Sequence, residues 1–63
     1  MKIFVKKDRL EENMTILQLS LASGISEAHI SYIENGERTP TIDVMCKLAK
    51  GLNRPITDLF SCD

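Results

Sequence analysis

This chain has no marked excess of either charge: eight Lys and Arg stand against nine Asp and Glu over 63 residues, a formal net charge of −1. That balance excludes a histone-like polycation and an acidic solvating tail. It does not exclude nucleic acid, because a local stripe of charge acts where the total is near zero. Cysteine is scarce as well. Cys46 and Cys62 are too few for the disulfide framework of a small secreted domain. No CxxC is present, and the single histidine, His29, stands without the partners a zinc site needs, so no metal or cofactor is expected. Long apolar runs are missing. Ile3-Phe4-Val5 sits between lysines, far short of a signal core or a membrane span, which leaves a cytoplasmic location and no membrane contact as the expectation. Cys–His, Ser–His–Asp and paired-carboxylate constellations are absent too, so an enzyme is not expected. A length of 63 residues points to one domain over 1–63, with no room for a buried cofactor pocket between lobes.

What is present is ordinary globular material, 43% hydrophobic and 27% charged. Gly24, Gly36, Pro40, Gly51 and Pro55 divide it into pieces of helical length. Within the pieces the apolar residues recur at three and four, as Ile30 and Ile33 do, and Ile42, Met45, Leu48 and Leu52. The one strand-like stretch is Lys2–Lys6, with Ile3 and Val5 alternating. Helix starts are marked clearly. Thr15 with Gln18 reads as a capping box, and Ser26 and Thr41 read as N-caps with Glu27 and Asp43 in the first turns. Gly24 and Gly36 read as left-handed stops, Gly51 lies near a helix end, and Pro55 suits a first helical position. These marks predict an all-α domain of five helices near 3–13, 15–22, 26–34, 41–51 and 55–60. Each is too short to persist alone.

The expected core is Val5, Leu10, Leu19, Ile25, Ile30, Ile33, Ile42, Met45, Leu48, Leu52, Ile56 and Leu59, with Cys46 as a core thiol and Cys62 at a frayed end. A helix, a turn of about four residues containing glycine and a second helix make a helix-turn-helix. Here Ser23-Gly24-Ile25-Ser26 is the turn: Gly24 takes the positive φ, Ile25 plugs the core and Ser26 caps the second helix. That helix has the length to lie in a major groove.

Thr15, Leu19, Ser23-Gly24-Ile25-Ser26, Ile30-Ser31, Ile33-Glu34-Asn35-Gly36, Arg38, Pro40, Lys47-Leu48-Ala49 and Leu59-Phe60 form a wider pattern. From about Val5 to Phe60 it resembles the Cro and phage-repressor type of helix-turn-helix, the XRE family. The resemblance implies a compact, lambda-repressor-like fold of five helices. It also implies a small transcriptional regulator, repressor or activator, that occupies a double-stranded DNA operator. The helix at 26–34 then reads bases, with Glu27, Ala28, His29, Ser31 and Tyr32 as candidates. Glu27 can accept from cytosine N4, and Ala28 can meet a thymine methyl. The alternative is that these side chains are only the solvated face of an amphipathic helix. Phosphate candidates are Lys6, Lys7, Arg9, Thr15, Asn35, Arg38 and Thr41. Arg9 and Glu34 match a family ion pair, read first as structural support, whereas Lys47, Lys50 and Arg54 read as a solvated face. With few phosphate contacts, affinity should be modest and salt-sensitive.

The helix at 15–22 departs from the family pattern. Ile16 stands where the family commonly places a phosphate-contacting Gln, Leu17 and Leu21 replace positions usually polar, and Ser20 replaces a frequent Ala. Either the core reaches further round this helix or an apolar patch is displayed. The second function class comes from the patch: a protein-interaction module, antitoxin-like or regulator-binding, docking through Ile16, Leu17 and Leu21. Lys6, Lys7, Arg9 and Arg38 gathered round the reading helix would favour DNA, and a joint exposure of the three apolar residues would favour a protein. One reading helix covers few base pairs, so a homodimer on a two-fold site is expected. Leu52, Pro55, Ile56 and Phe60 are the interface candidates, Phe60 being equally suited to the protomer's own core.

Overall fold

The computed structural model describes residues 1–62, in the order β1 (Lys2–Ile3), α1 (Val5–Glu11), α2 (Ile16–Ser23), α3 (Glu27–Glu34), α4 (Ile42–Leu52), a 3-10 turn (Ile56–Asp58) and β2 (Phe60–Ser61). Three of the four α-helices open on the caps legible in the sequence. Thr15 Oγ1 accepts from the Gln18 amide at 3.0 Å while Gln18 Oε1 accepts from the Thr15 amide at 2.8 Å, a closed capping box. Ser26 accepts from the His29 amide and Thr41 from the Val44 amide, each at 3.2 Å.

The five-helix count does not hold at either end of the chain. Lys2 pairs with Ser61 and Ile3 with Phe60 in an antiparallel two-strand ladder, and the Phe4 amide donates to the Leu59 carbonyl at 2.7 Å. Those bonds tie the chain at Lys2–Phe4 to the C-terminal segment, so the first helix starts at Val5 rather than residue 3. The expected fifth helix is reduced to the three-residue turn Ile56–Asp58 before the chain extends as β2.

Helix ends differ in part. Gly24 at φ +78° stops α2, its amide donating to the Ser20 carbonyl at 2.9 Å. The other left-handed stops are Asn13 at φ +58°, Asn53 at φ +57° and Gly36 at φ +76°. Asparagine tolerates this region because its short polar side chain bonds locally. Gly51 is near a helix end as expected, the last residue but one of α4, and has no left-handed φ. It lies inside α4, where a Cβ would come 3.0 Å from Ser23 Cβ and 3.1 Å from Leu19 Cδ1. Its missing side chain lets α4 approach α2.

The core is Val5, Leu19, Ile25, Ile30, Ile33, Met45, Leu48, Ala49, Leu52 and Leu59. Leu10 and Ile42 do not belong to it, at 56% and 71% exposure. Leu10 loses its place because the inward face of α1 carries Asp8 and Arg9, both buried beside Val5. Ile42 is the first residue of α4 and projects past the rim of the core. Ile56 is only half-buried, packed against the core from the 3-10 turn, and Cys46 is exposed because it lies off the Met45–Leu48–Leu52 stripe. Cys62 is exposed as well.

Arg54 does not belong to a solvated face. The turn after α4 sends its side chain to α1, where Nη1 donates to Asp8 Oδ1 at 3.1 Å and Glu11 Oε1 at 3.0 Å, and Nη2 to Glu12 Oε2 at 2.8 Å. Asp8 is 2% exposed, and among the described residues its Oδ2 has no hydrogen-bond partner. Burial pushes the Asp8 carboxyl above its ordinary value, with Arg54 opposing. The folded chain therefore holds this proton more tightly than the unfolded chain, and Asp8's own contribution to stability rises as pH falls through the window between the two values. Against Asp8→Asn, the parent chain is expected to gain relative stability in urea titrations as pH is lowered from neutrality toward the ordinary carboxylate range. A relative loss over that range would reverse the assignment.

Candidate nucleic-acid interface

α2, the turn Gly24–Ser26 and α3 form the helix-turn-helix. Ser23 Oγ accepts from the Ile25 amide at 3.2 Å, Ile25 is 7% exposed in the core, and Ser26 opens α3. Ile30 and Ile33 face inward at 0% and 2% exposure, so α3 is fixed by one side only. Its outward arc carries Glu27, Ala28 and Tyr32, all exposed, with Ser31 half-buried among them and His29 half-buried toward the core side. Ser31 Oγ is also the acceptor of a long, 3.5 Å contact from Asn35 Nδ2.

The far end of α3 is held by the Arg9–Glu34 pair. Arg9 Nε and Nη2 donate to the two Glu34 oxygens at 2.8 Å and 3.0 Å, and Nη1 donates to the Met14 carbonyl at 2.9 Å. The side chains are 9% and 4% exposed, which makes the pair part of the interior and ties α1 to α3. The Glu34 hydrogen bonds hold the Arg9 guanidinium above its ordinary pKa.

The other phosphate candidates are spread over three regions. Lys6 and Lys7 are exposed on α1, with Lys7 3.8 Å from Glu11 and over the Phe4 ring. Asn35 and Arg38 are exposed in the loop after α3, and Thr15 and Thr41 are exposed at the N-caps of α2 and α4. Among the described residues Lys2, Lys6, Arg38 and Lys50 carry no ion pair, whereas Lys47 pairs with Asp43 at 3.4 Å. The four cations expected round the reading helix are therefore not equivalent: Arg9 is interior, and Arg38 lies 5.2 Å over the Tyr32 ring of α3. Of the three apolar residues on α2, Ile16 packs against the core, while Leu17 and Leu21 stand 51% and 78% exposed one turn apart. Leu52 is 2% exposed in the core, which removes it from any surface a second copy could meet; Pro55 is exposed, and Ile56 and Phe60 are half-buried.

Residues 5–59, nearly the whole described chain, match the helix-turn-helix family. The chain belongs to the XRE-type helix-turn-helix family. It is similar to the HTH-type transcriptional regulator SutR of Escherichia coli strain K12, 33% identical over 57 residues, which is 90% of this chain and 32% of SutR. YqaF of Bacillus subtilis strain 168, an uncharacterized HTH-type transcriptional regulator, is 35% identical over 60 residues, 95% of this chain and 79% of YqaF. An uncharacterized HTH-type transcriptional regulator of Archaeoglobus fulgidus is 30% identical over 63 residues, covering 89% of that protein. The chain thus spans about a third of the length of SutR and most of the other two. No helix of this XRE-type chain is long and apolar enough to cross a membrane, among the described residues.

Two features of this structure were not legible in the residue pattern. The Tyr32–Arg38 stack needs a reversal of the chain between them, and Gly36 was the only hint of it. The Arg54 clasp joins residues more than forty positions apart, a separation at which no local spacing carries a signal.

Proposed function

We propose that this chain binds double-stranded DNA selectively as a transcriptional regulator, with α3 in the major groove. The observation that carries the reading is the mounting of α3, whose Ile30 and Ile33 are buried while Glu27 and Ala28 at its N-terminal end are uncovered. Recognition helices of this type present their N-terminal residues to base edges. Glu27, Ala28 and Ser31 meet the bases, and Lys6, Asn35 and Arg38 meet phosphates on either side. Arg9 acts from inside by fixing α3. A second copy binds the other half-site through a surface containing Pro55, Ile56 and Phe60.

Selection from random duplexes at a stated salt concentration tests this directly. The expected product is a two-fold symmetric site with half-sites about 10 base pairs apart, bound with an affinity that falls steeply as salt rises. A second reading is favoured by the joint exposure of Leu17 and Leu21, namely a protein-docking module. It predicts no enriched duplex, together with loss of protein association in a Leu17→Ser, Leu21→Ser variant. Enrichment that survives those two substitutions would decide for DNA.

A further inference from the structure

We propose that Tyr32 is a positioning residue for Arg38, holding its guanidinium as a preset phosphate fork, and is not a reader of bases. The proposal rests on the DNA reading above and sharpens it.

The backbone makes the arrangement. At the end of α3 the Gly36 amide donates to the Ile33 carbonyl at 3.2 Å and the Glu37 amide to the Tyr32 carbonyl at 2.9 Å. With Gly36 at φ +76°, this is the paired bonding of a Schellman stop. It turns the chain back over the last turn of α3, so that Arg38 lies above a residue six positions earlier. Pro40, buried, and Thr41, capping α4, hold the other side of the loop.

Charge makes the stack specific. The chain has three arginines. Arg9 is taken by Glu34, and Arg54 by Asp8, Glu11 and Glu12. Arg38 is exposed with no carboxylate on it among the described residues, and its guanidinium carbon lies 5.2 Å from the centre of the Tyr32 ring. A ring beneath a guanidinium attracts the cation through its face. The flat fork of N–H donors then stays open at its edge, the geometry that matches two phosphate oxygens. Ordering a long flexible side chain before DNA arrives lowers the entropy lost on binding. The ring face so occupied is not available to a base, and Tyr32 lies on the last turn of α3, beyond Glu27 and Ala28 at its N-terminal end.

Two measurements test the assignment. In the free protein, the Arg38 δ-methylene protons should show an upfield ring-current shift by NMR that disappears in Tyr32→Ala. Unshifted protons in the parent overturn the proposal and leave the DNA reading standing. Binding to the selected duplex and to random duplex is then compared by fluorescence anisotropy at two salt concentrations. Tyr32→Phe should bind as the parent does, since the ring remains. Tyr32→Ala should weaken both duplexes by the same factor, about two- to fivefold. Arg38→Ala should weaken both by about tenfold and lower the salt slope by about one. With Arg38→Ala in place, Tyr32→Ala should add nothing. A changed base preference in Tyr32→Ala, a loss in Tyr32→Phe equal to that in Tyr32→Ala, or additive losses in the double variant would each overturn it. A parent chain that binds neither duplex removes the DNA reading and the proposal with it.

Discussion

Glu34→Ala is expected to cost about 3 kcal/mol and to lower the midpoint of thermal unfolding by about 12–24 °C, followed by circular dichroism. A domain of this length has roughly 3–9 kcal/mol of stability in all, so the variant sits at the edge of unfolding at room temperature. The magnitude comes from what is left behind. Glu34 accepts two hydrogen bonds from Arg9 inside the protein, where the two side chains are 4% and 9% exposed. Without Glu34, the guanidinium keeps only the Met14 carbonyl at 2.9 Å and stays in a place that solvates it poorly. An exposed pair would cost under about 1 kcal/mol, so the size of the loss measures burial directly. The pair itself need not be a net stabiliser. Arg9→Met combined with Glu34→Leu removes both charges and is expected to recover most of the loss. A Glu34→Ala melt within about 0.5 kcal/mol of the parent would mean that water reaches Arg9. Because the pair links α1 to the last turn of α3, that outcome would also mean that the mounting of the proposed reading helix does not depend on it.

Local chemistry carried much of the fold into the sequence. Thr15, Ser26 and Thr41 cap their helices because a side-chain oxygen bonds an amide three residues on, an interaction complete within one turn. The Ser23–Ser26 turn was legible for the same reason: Gly24, Ile25 and Ser26 each satisfy a need of their own position. The family pattern supplied what spacing could not, the pairing of Arg9 with Glu34 across 25 positions. What stayed hidden is mostly non-local. The two-residue strands Lys2–Ile3 and Phe60–Ser61 are too short to show a period, and they exist only through each other. The apolar periodicity predicts Leu10 inward, yet Asp8 and Arg9 occupy that face, stabilised by Arg54 and Glu34 from distant segments. Asn13 and Asn53 end helices as Gly24 does, a use of asparagine that glycine and proline spacing does not register. On α3, which residues are exposed was set by the pattern of Ile30 and Ile33. That Tyr32 carries Arg38 was not.

Gly51→Leu is expected to be as damaging as the loss of Glu34, about 3 kcal/mol, although leucine is a good helix former and position 51 lies inside α4. Propensity alone predicts a gain of nearly 1 kcal/mol for replacing this glycine. Space decides against it. A Cβ here would sit 3.0 Å from Ser23 Cβ, 3.1 Å from Leu19 Cδ1 and 3.2 Å from the Ser23 amide nitrogen. Leu19 is 0% exposed and cannot swing into solvent, and the Ser23 contact includes backbone. Gly51→Ala brings both effects together: about 1 kcal/mol of propensity against an overpacking cost of about 1–3 kcal/mol. A modest net loss is expected. Leucine keeps the same propensity term and adds three carbons to the clash, so a steep drop from Ala to Leu in denaturant titrations separates packing from helix preference. Equal stability of the two variants would mean that α4 moves aside freely. The consequence reaches the turn, because Ser23 Oγ holds the Ile25 amide at 3.2 Å and Ser23 is the last residue of α2. Pushing Ser23 away should therefore raise hydrogen exchange at the Ile25 amide before the whole domain unfolds. The angle between α2 and α3 then depends on a glycine two elements away.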